Sequence, residues 1–109
     1  MHPDWFKIPI FYFSNSVALF GHRQKINYPS GTDELDFELE FAVILADGGT
    51  NISSQSATDY IAGYTICNDW SARDLQREEM AMNLGPAKGK DFATSSVSYT
   101  HLRAHETVS

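Results

Sequence analysis

LDFELEF, residues 35–41, alternates Leu35, Phe37, Leu39 and Phe41 with Asp36, Glu38 and Glu40. Successive side chains of an extended strand point to opposite faces, so the stretch predicts a strand with one apolar face and a row of three carboxylates on the other. That strand is expected to continue to Leu45 through the apolar run AVIL. Across water at about 7 Å two carboxylates repel by about 0.6 kcal/mol, and partial burial multiplies this several-fold. Such a row is either a solvated face or a face with something positive above it. Side chains at i and i+2 leave a strand about 6.5 to 7 Å apart, so two glutamate arms can converge on one hard divalent cation. Mg²⁺ and Mn²⁺ favour carboxylate oxygens and keep positions open for water or substrate.

The chain has 109 residues, enough for one small domain, with 42% hydrophobic and 20% charged residues as in an ordinary folded protein. Its net charge of −6 argues against nucleic acid, which is bound through a lysine and arginine surplus. No apolar run approaches the roughly 20 residues that span a bilayer, and the opening MHPDWFKIPI lacks the pattern of a signal peptide. A single cysteine, Cys67, fits a reducing, cytoplasmic setting. Set in an apolar run, it reads as a buried small hydrophobe rather than a nucleophile.

Outward from the central stretch, IPIFYF (Ile8 to Phe13) predicts a buried strand with Pro9 at an edge or bend. Asn15 to Thr32 is turn-rich, a long loop or a pair of short strands, and Ala46 to Ser54 is a turn. Ser56 to Asp59 fits a capping box opening a short helix that stops at Gly63. Tyr64 to Asp69 predicts a strand. A second capping box, Ser71 to Asp74, opens a helix over about Ala72 to Met82, with Asp74 as a cap. LGPAKGK (Leu84 to Lys90) is a loop. The fold class expected is α+β and strand-dominated.

The end of the chain is read apart from the rest. VSYTHLRAHET, Val97 to Thr107, resembles one reading frame of a transposase-type sequencing adapter. Residues 96–109 are therefore expected to be a non-native tail on a fragment, with residues 1–95 forming a partial catalytic domain. His101 and His105, four apart and followed by Glu106, are then no metal motif, and Arg103 carries no function.

The segment ICNDWSARDLQ, Ile66 to Gln76, favours the cation over the solvated face. Asp69 ends a strand at a strand-to-helix corner, and Arg73 and Gln76, three apart, share a helix face. A carboxylate, a guanidinium and an amide gathered there suit an anionic substrate held against a metal. GYTICNDWSARDLQ (Gly63 to Gln76), LDFELEFAVIL (Leu35 to Leu45) and LGPAKGKDFATS (Leu84 to Ser95) together resemble the fumarylacetoacetate hydrolase family, in order and spacing, over about Asp4 to Ser95. IPIFYFSN (Ile8 to Asn15) is similar to the family's strand before the metal site.

The resemblance implies a partial mixed β-sandwich roll with short helices, lacking the N-terminal lid and the C-terminal half. It implies Glu38, Glu40 and Asp69 as ligands of Mg²⁺ (or Mn²⁺ or Ca²⁺), with Asp36 structural. Arg73, Gln76, Lys90 and Thr94 match substrate-contacting positions, and Lys90 and Arg73 match the groups that stabilise a developing enolate. Where the family carries a tyrosine on the helix after Gln76, this chain carries Met80. The implied parent protein is a homodimeric enzyme that cleaves a C–C bond in a 1,3-dicarbonyl or 2-oxo acid, or a decarboxylase, hydratase or isomerase on the same scaffold. His22, in a loop, has no match to the family's catalytic histidine and reads as solvated. A catalytically inactive metal-binding fragment and a metal-free acidic module for a basic protein are the rival readings.

Overall fold

A computed structural model describes residues 2–97. His101, Arg103, His105 and Glu106 lie outside the described residues, as does most of the adapter-like stretch. The centre is an antiparallel hairpin. Strand β3 (Leu39–Leu45) pairs with β4 (Ile61–Asp69), and the Ala46 N–H to Tyr60 carbonyl bond of 2.9 Å closes the connection between them. β4 then pairs antiparallel with β6 (Thr94–Ser96), which pairs in parallel with β1 (Leu19–Phe20), giving a mixed sheet of order β1-β6-β4-β3. A second, two-stranded sheet joins β2 (Leu35–Asp36) to β5 (Ser71–Ala72). The helix α1 (Arg73–Ala81) follows β5 directly. The strand-dominated α+β class holds.

The predicted continuous strand from Leu35 to Leu45 is interrupted at Phe37 and Glu38. Two successive backbone donors go to side chains instead of a neighbouring strand. The Phe37 N–H donates to Asp36 Oδ1 at 2.8 Å, and the Glu38 N–H donates to Asn68 Oδ1 at 3.0 Å. A side chain that offers the backbone an acceptor competes with the ladder. Ile8 to Phe13 forms no strand, and Ile8, Ile10, Phe11 and Phe13 are exposed. This segment is held by side chains: the Tyr12 hydroxyl donates to Asp91 Oδ1, and Asn15 Nδ2 donates to the Asp91 carbonyl at 3.1 Å.

Neither predicted capping box forms. Ser56 precedes a single 3-10 turn, Ala57–Tyr60, without capping it, and Gly63 lies inside β4. At α1 the N-cap is Ala72. Its first donors are met from elsewhere, because the Ala72 N–H reaches the Gly89 carbonyl at 2.7 Å and the Arg73 N–H reaches that of Glu34 at 2.9 Å. Asp74 does hold a helix-entry amide, that of Leu75 at 2.9 Å, but also takes the Asp33 N–H at 2.9 Å and the Thr32 hydroxyl. It ties the preceding loop to the helix.

Burial is inverted relative to an ordinary domain. Among the described residues the fully buried apolar ones are Ala72 and Ala93, whereas Asp69, Ser71 and Lys90 are buried and charged or polar. Leu39, Phe41 and Val43 share one face of the hairpin with Asn68, Ile66 and Tyr64, which lie opposite them in that order. Leu39, Phe41, Val43 and Ile66 on that face are exposed. The opposite face carries the polar cluster.

Candidate metal centre

The hairpin register places the carboxylates. The Asp69 N–H donates to the Glu38 carbonyl at 3.0 Å, so these residues face each other across the ladder, and Glu40 faces Cys67 one rung further on. Thr94 is opposite Asp69 on β6. Since opposed residues and residues two apart share a face, Glu38, Glu40, Cys67, Asp69 and Thr94 all stand on one side of the sheet. Ligand oxygens of Glu38, Glu40 and Asp69 lie within 4.8 Å of one another.

Two cations reach into this row. Arg73, from the first turn of α1, donates from Nη1 to Glu38 Oε1 at 2.6 Å and to Gln76 Oε1 at 2.9 Å, and from Nε to Asp36 Oδ2 at 2.8 Å. Lys90 Nζ lies 2.9 Å from Glu38 Oε2 and 2.8 Å from Asp69 Oδ2, and donates to Ser71 Oγ at 2.7 Å. Lys90 is brought there by a folded-back loop. Glu79 Oε2 accepts the N–H groups of Ala87 at 2.9 Å and Gly89 at 3.2 Å, and the Lys90 N–H bonds the Ala87 carbonyl at 2.9 Å.

The row of like charges in the heptapeptide is thus met by groups from two other segments. Four carboxylates, of Asp36, Glu38, Glu40 and Asp69, face two cations, of Arg73 and Lys90. The two negative charges left over equal what one divalent ion carries. Among the described residues Asp69 Oδ1 is buried with no hydrogen-bond partner. A buried carboxylate oxygen left unpaired is costly and calls for a partner such as an ion. The donor set is all oxygen, as Mg²⁺ and Mn²⁺ prefer. These residues fit a hard divalent cation.

The charges hold one another. Burial pushes the Glu38 carboxyl up, but the Lys90 and Arg73 hydrogen bonds outweigh it and hold the group below its ordinary 4.5. Burial disfavours the Lys90 ammonium, yet its hydrogen bonds to Asp69 and Glu38 leave it above the usual 10.5. The signs follow from linkage. A depressed carboxyl contributes stability that is present above its unfolded value and lost as pH falls through the folded one. A raised amine contributes stability that is full below its unfolded value and lost as pH rises through the folded one. The urea midpoint in metal-free buffer is therefore expected to be level between 4.5 and 10.5 on account of this pair, and to fall on both sides. A midpoint unmoved by acidification past the ordinary carboxylate range would contradict this ion pairing.

Cys67 is half-buried rather than buried, and its thiol lies 3.6 Å from Glu40 Oε2. Burial and the Glu40 charge push it up to about 11, which suits an inert neighbour of the site and not a nucleophile. Gln76 joins through Arg73. Thr94 joins by register, with its hydroxyl 3.2 Å from Ser14 Oγ. Met80 lies one turn beyond Gln76 on α1 and lines an open, mainly apolar cleft of about 720 Å³ with Tyr12, Phe13, Pro86 and Asp91. His22 is exposed in its loop. Ser71, Asn68 and Glu79 support the site, a role that the sequence does not announce for any of them. Ser71 looked like a cap because the S-A-R-D pattern does not reveal that its hydroxyl turns back into the sheet.

The family model for the C-terminal domain of fumarylacetoacetate (FAA) hydrolase matches residues 1–107. The chain is 37% identical over 112 residues to a fumarylacetoacetase of Arabidopsis thaliana, covering 87% of this chain and 26% of that protein. It is 37% identical over 78 residues to the oxaloacetate tautomerase YisK of Bacillus subtilis, covering 71% and 26% respectively. Among solved structures, a fumarylpyruvate hydrolase from Pseudomonas aeruginosa, in complex with Mn²⁺ and pyruvate, superposes with a TM-score of 0.75. That likeness covers 94% of this chain and 46% of the other at 23% identity, and bears on the fold. The chain spans about a quarter of the length of the two curated relatives. Among the described residues no helix is long and apolar enough to cross a membrane.

Proposed function

The chain belongs to the fumarylacetoacetate hydrolase family, and we propose that it carries the metal half of a site that cleaves a C–C bond in a 1,3-dicarbonyl or 2-oxo acid. One observation carries this reading: Glu38, Glu40 and Asp69 converge to within 4.8 Å while a buried oxygen of Asp69 lacks a partner. Glu38, Glu40 and Asp69 would hold Mg²⁺, Mn²⁺ or Ca²⁺. When bound, the ion would polarise a substrate carbonyl as a Lewis acid and offset the charge of an enolate.

This chain's own residues would do the rest. Gln76 Oε1 accepts from Arg73, so the amide nitrogen is the end left for an anionic substrate group. Arg73 and Lys90 would supply fixed positive charge where the enolate develops, in a place already partly shielded from water. Thr94, on the same face as Asp69, would hold the substrate carboxylate. The open cleft past Met80 would receive the remainder of the substrate.

Hydrolysis is favoured because a fumarylacetoacetase aligns over most of the chain. A second reading, isomerisation or tautomerisation on the same scaffold, rests on the likeness to a tautomerase at equal identity. The metal residues serve both. We also propose a homodimeric parent protein, a cytoplasmic setting and an adapter origin for residues 96–109. Ser96 pairs with Cys67 in the β6 ladder and the Val97 N–H bonds the Ile66 carbonyl at 3.1 Å, so the sheet runs past residue 95, and resequencing the locus tests where the native codons stop.

Titrating Mn²⁺ into the 109-residue chain is expected to give a one-site binding heat that a Glu38→Ala/Glu40→Ala double variant loses, with at least a roughly hundredfold drop in affinity. Equal heats for the two proteins would remove the metal site from this chain.

A further inference from the structure

An ammonium group has three N–H donors, and each of those on Lys90 has a partner. Asp69 Oδ2 is at 2.8 Å, Ser71 Oγ at 2.7 Å and Glu38 Oε2 at 2.9 Å. The Ser71 hydroxyl proton is committed to the Asp69 carbonyl at 3.1 Å, so Ser71 meets Lys90 as an acceptor. With 5% of its surface exposed, Lys90 has little water to turn to. Two of the three partners are oxygens of the proposed metal ligands. Glu38 offers no easy alternative, because its other oxygen is held by Arg73.

We propose that Lys90 and a divalent cation entering at the unpartnered Oδ1 of Asp69 compete for Glu38 Oε2, so that Lys90 sets the affinity and selectivity of the site. The inference rests on the metal reading above. Lys90 is then a built-in rival cation. A monovalent ion would take an oxygen from Lys90 and bring a single charge, whereas a divalent ion brings twice that charge to the two carboxylates that Arg73 and Lys90 leave unneutralised. The order of events follows. The Lys90 donor on Glu38 becomes available to a substrate oxygen only once a metal has taken that carboxylate oxygen, and Ser71 Oγ and Asp69 Oδ2 keep the ammonium in place meanwhile.

The test compares Mn²⁺ affinity of the wild-type chain with that of Lys90→Met, by calorimetry and by the electron paramagnetic resonance of free Mn²⁺. Competition predicts binding tighter by about tenfold or more in the variant, since a unit charge is removed within contact distance of two ligands. Binding by both proteins with equal affinity, or weaker binding in Lys90→Met, overturns the competition and leaves the metal reading standing. Binding by Lys90→Met alone is its strongest support. Binding by neither overturns both.

Removing Lys90 can also loosen the fold, so a second measurement uses the unaltered chain. The Lys90 side-chain ¹H–¹⁵N resonance, protected by burial, is expected to shift as Mg²⁺ saturates the site. Saturation with that resonance unmoved overturns the proposal.

Discussion

Asp69→Ala is expected to lower folding stability by about 3 to 5 kcal/mol, measured as the urea unfolding free energy in metal-free buffer. Asp69 is 7% exposed and Lys90 5%, and their contact is 2.8 Å. Truncating Asp69 leaves a buried ammonium short of one of its acceptors, and it is this stranded charge, more than the lost attraction, that sets the cost. Glu38, with a third of its side chain exposed, keeps part of the pairing and places the result nearer the lower figure. Asp69→Asn separates charge from shape: it retains an acceptor for Lys90 and should lose less stability than alanine, while losing Mn²⁺ binding as fully. A stability change below about 1 kcal/mol for Asp69→Ala would mean that the pair is solvated, as surface ion pairs are.

Gly89→Ala is expected to cost about 1 to 3 kcal/mol through overpacking. A Cβ there would lie 2.9 Å from the backbone nitrogen of Gln76 and 3.0 Å from its Cα. Helix backbone cannot step aside as a long side chain can, so the loop must retreat. Its retreat would break the 2.7 Å bond from Ala72 to the Gly89 carbonyl and carry the neighbouring Lys90 away from its carboxylates. Thermal unfolding should show the loss, and the metal affinity should change with it. Gly48→Ala is the control, with nothing within 4 Å of the added carbon and a near-neutral outcome expected. A Gly89→Ala protein as stable as the control would show that the loop does not press on α1.

The heptapeptide Leu35 to Phe41 made the acidic face legible, because period-two alternation survives any detail of pairing. It could not show the break at Phe37 and Glu38. That break depends on Asn68, thirty residues away, supplying an acceptor to the Glu38 amide. The capping boxes failed for a related reason. Ser71 fits the local pattern, but its hydroxyl donates back to the Asp69 carbonyl and accepts from the buried Lys90, a tertiary partner that the local pattern does not reveal. Ile8 to Phe13 reads as a strand by composition alone. Strand formation needs a neighbour to pair with, which composition does not reveal. Arg73 and Gln76 were legible as a helix-face pair, and the structure keeps them together. That Arg73 spans to Asp36 and Glu38 was not legible, because the family resemblance brings the two segments to one site and implies a substrate role for Arg73 without giving these ion pairs.

The hairpin has one irregularity, between Ile44 and Leu45, where Ala62 is passed over in the pairing. It lies at the end remote from Glu38 and Asp69, beyond Gly63. Length changes in the 46–60 connection are therefore absorbed where the strands already accommodate an unmatched residue. A residue gained or lost between Gly63 and Asp69 is different: it slips the ladder by one rung and turns Asp69 to the back of the sheet while Glu38 stays in front. For anyone grafting tags, sensors or foreign loops onto this scaffold, position along the hairpin matters more than the size of the insert.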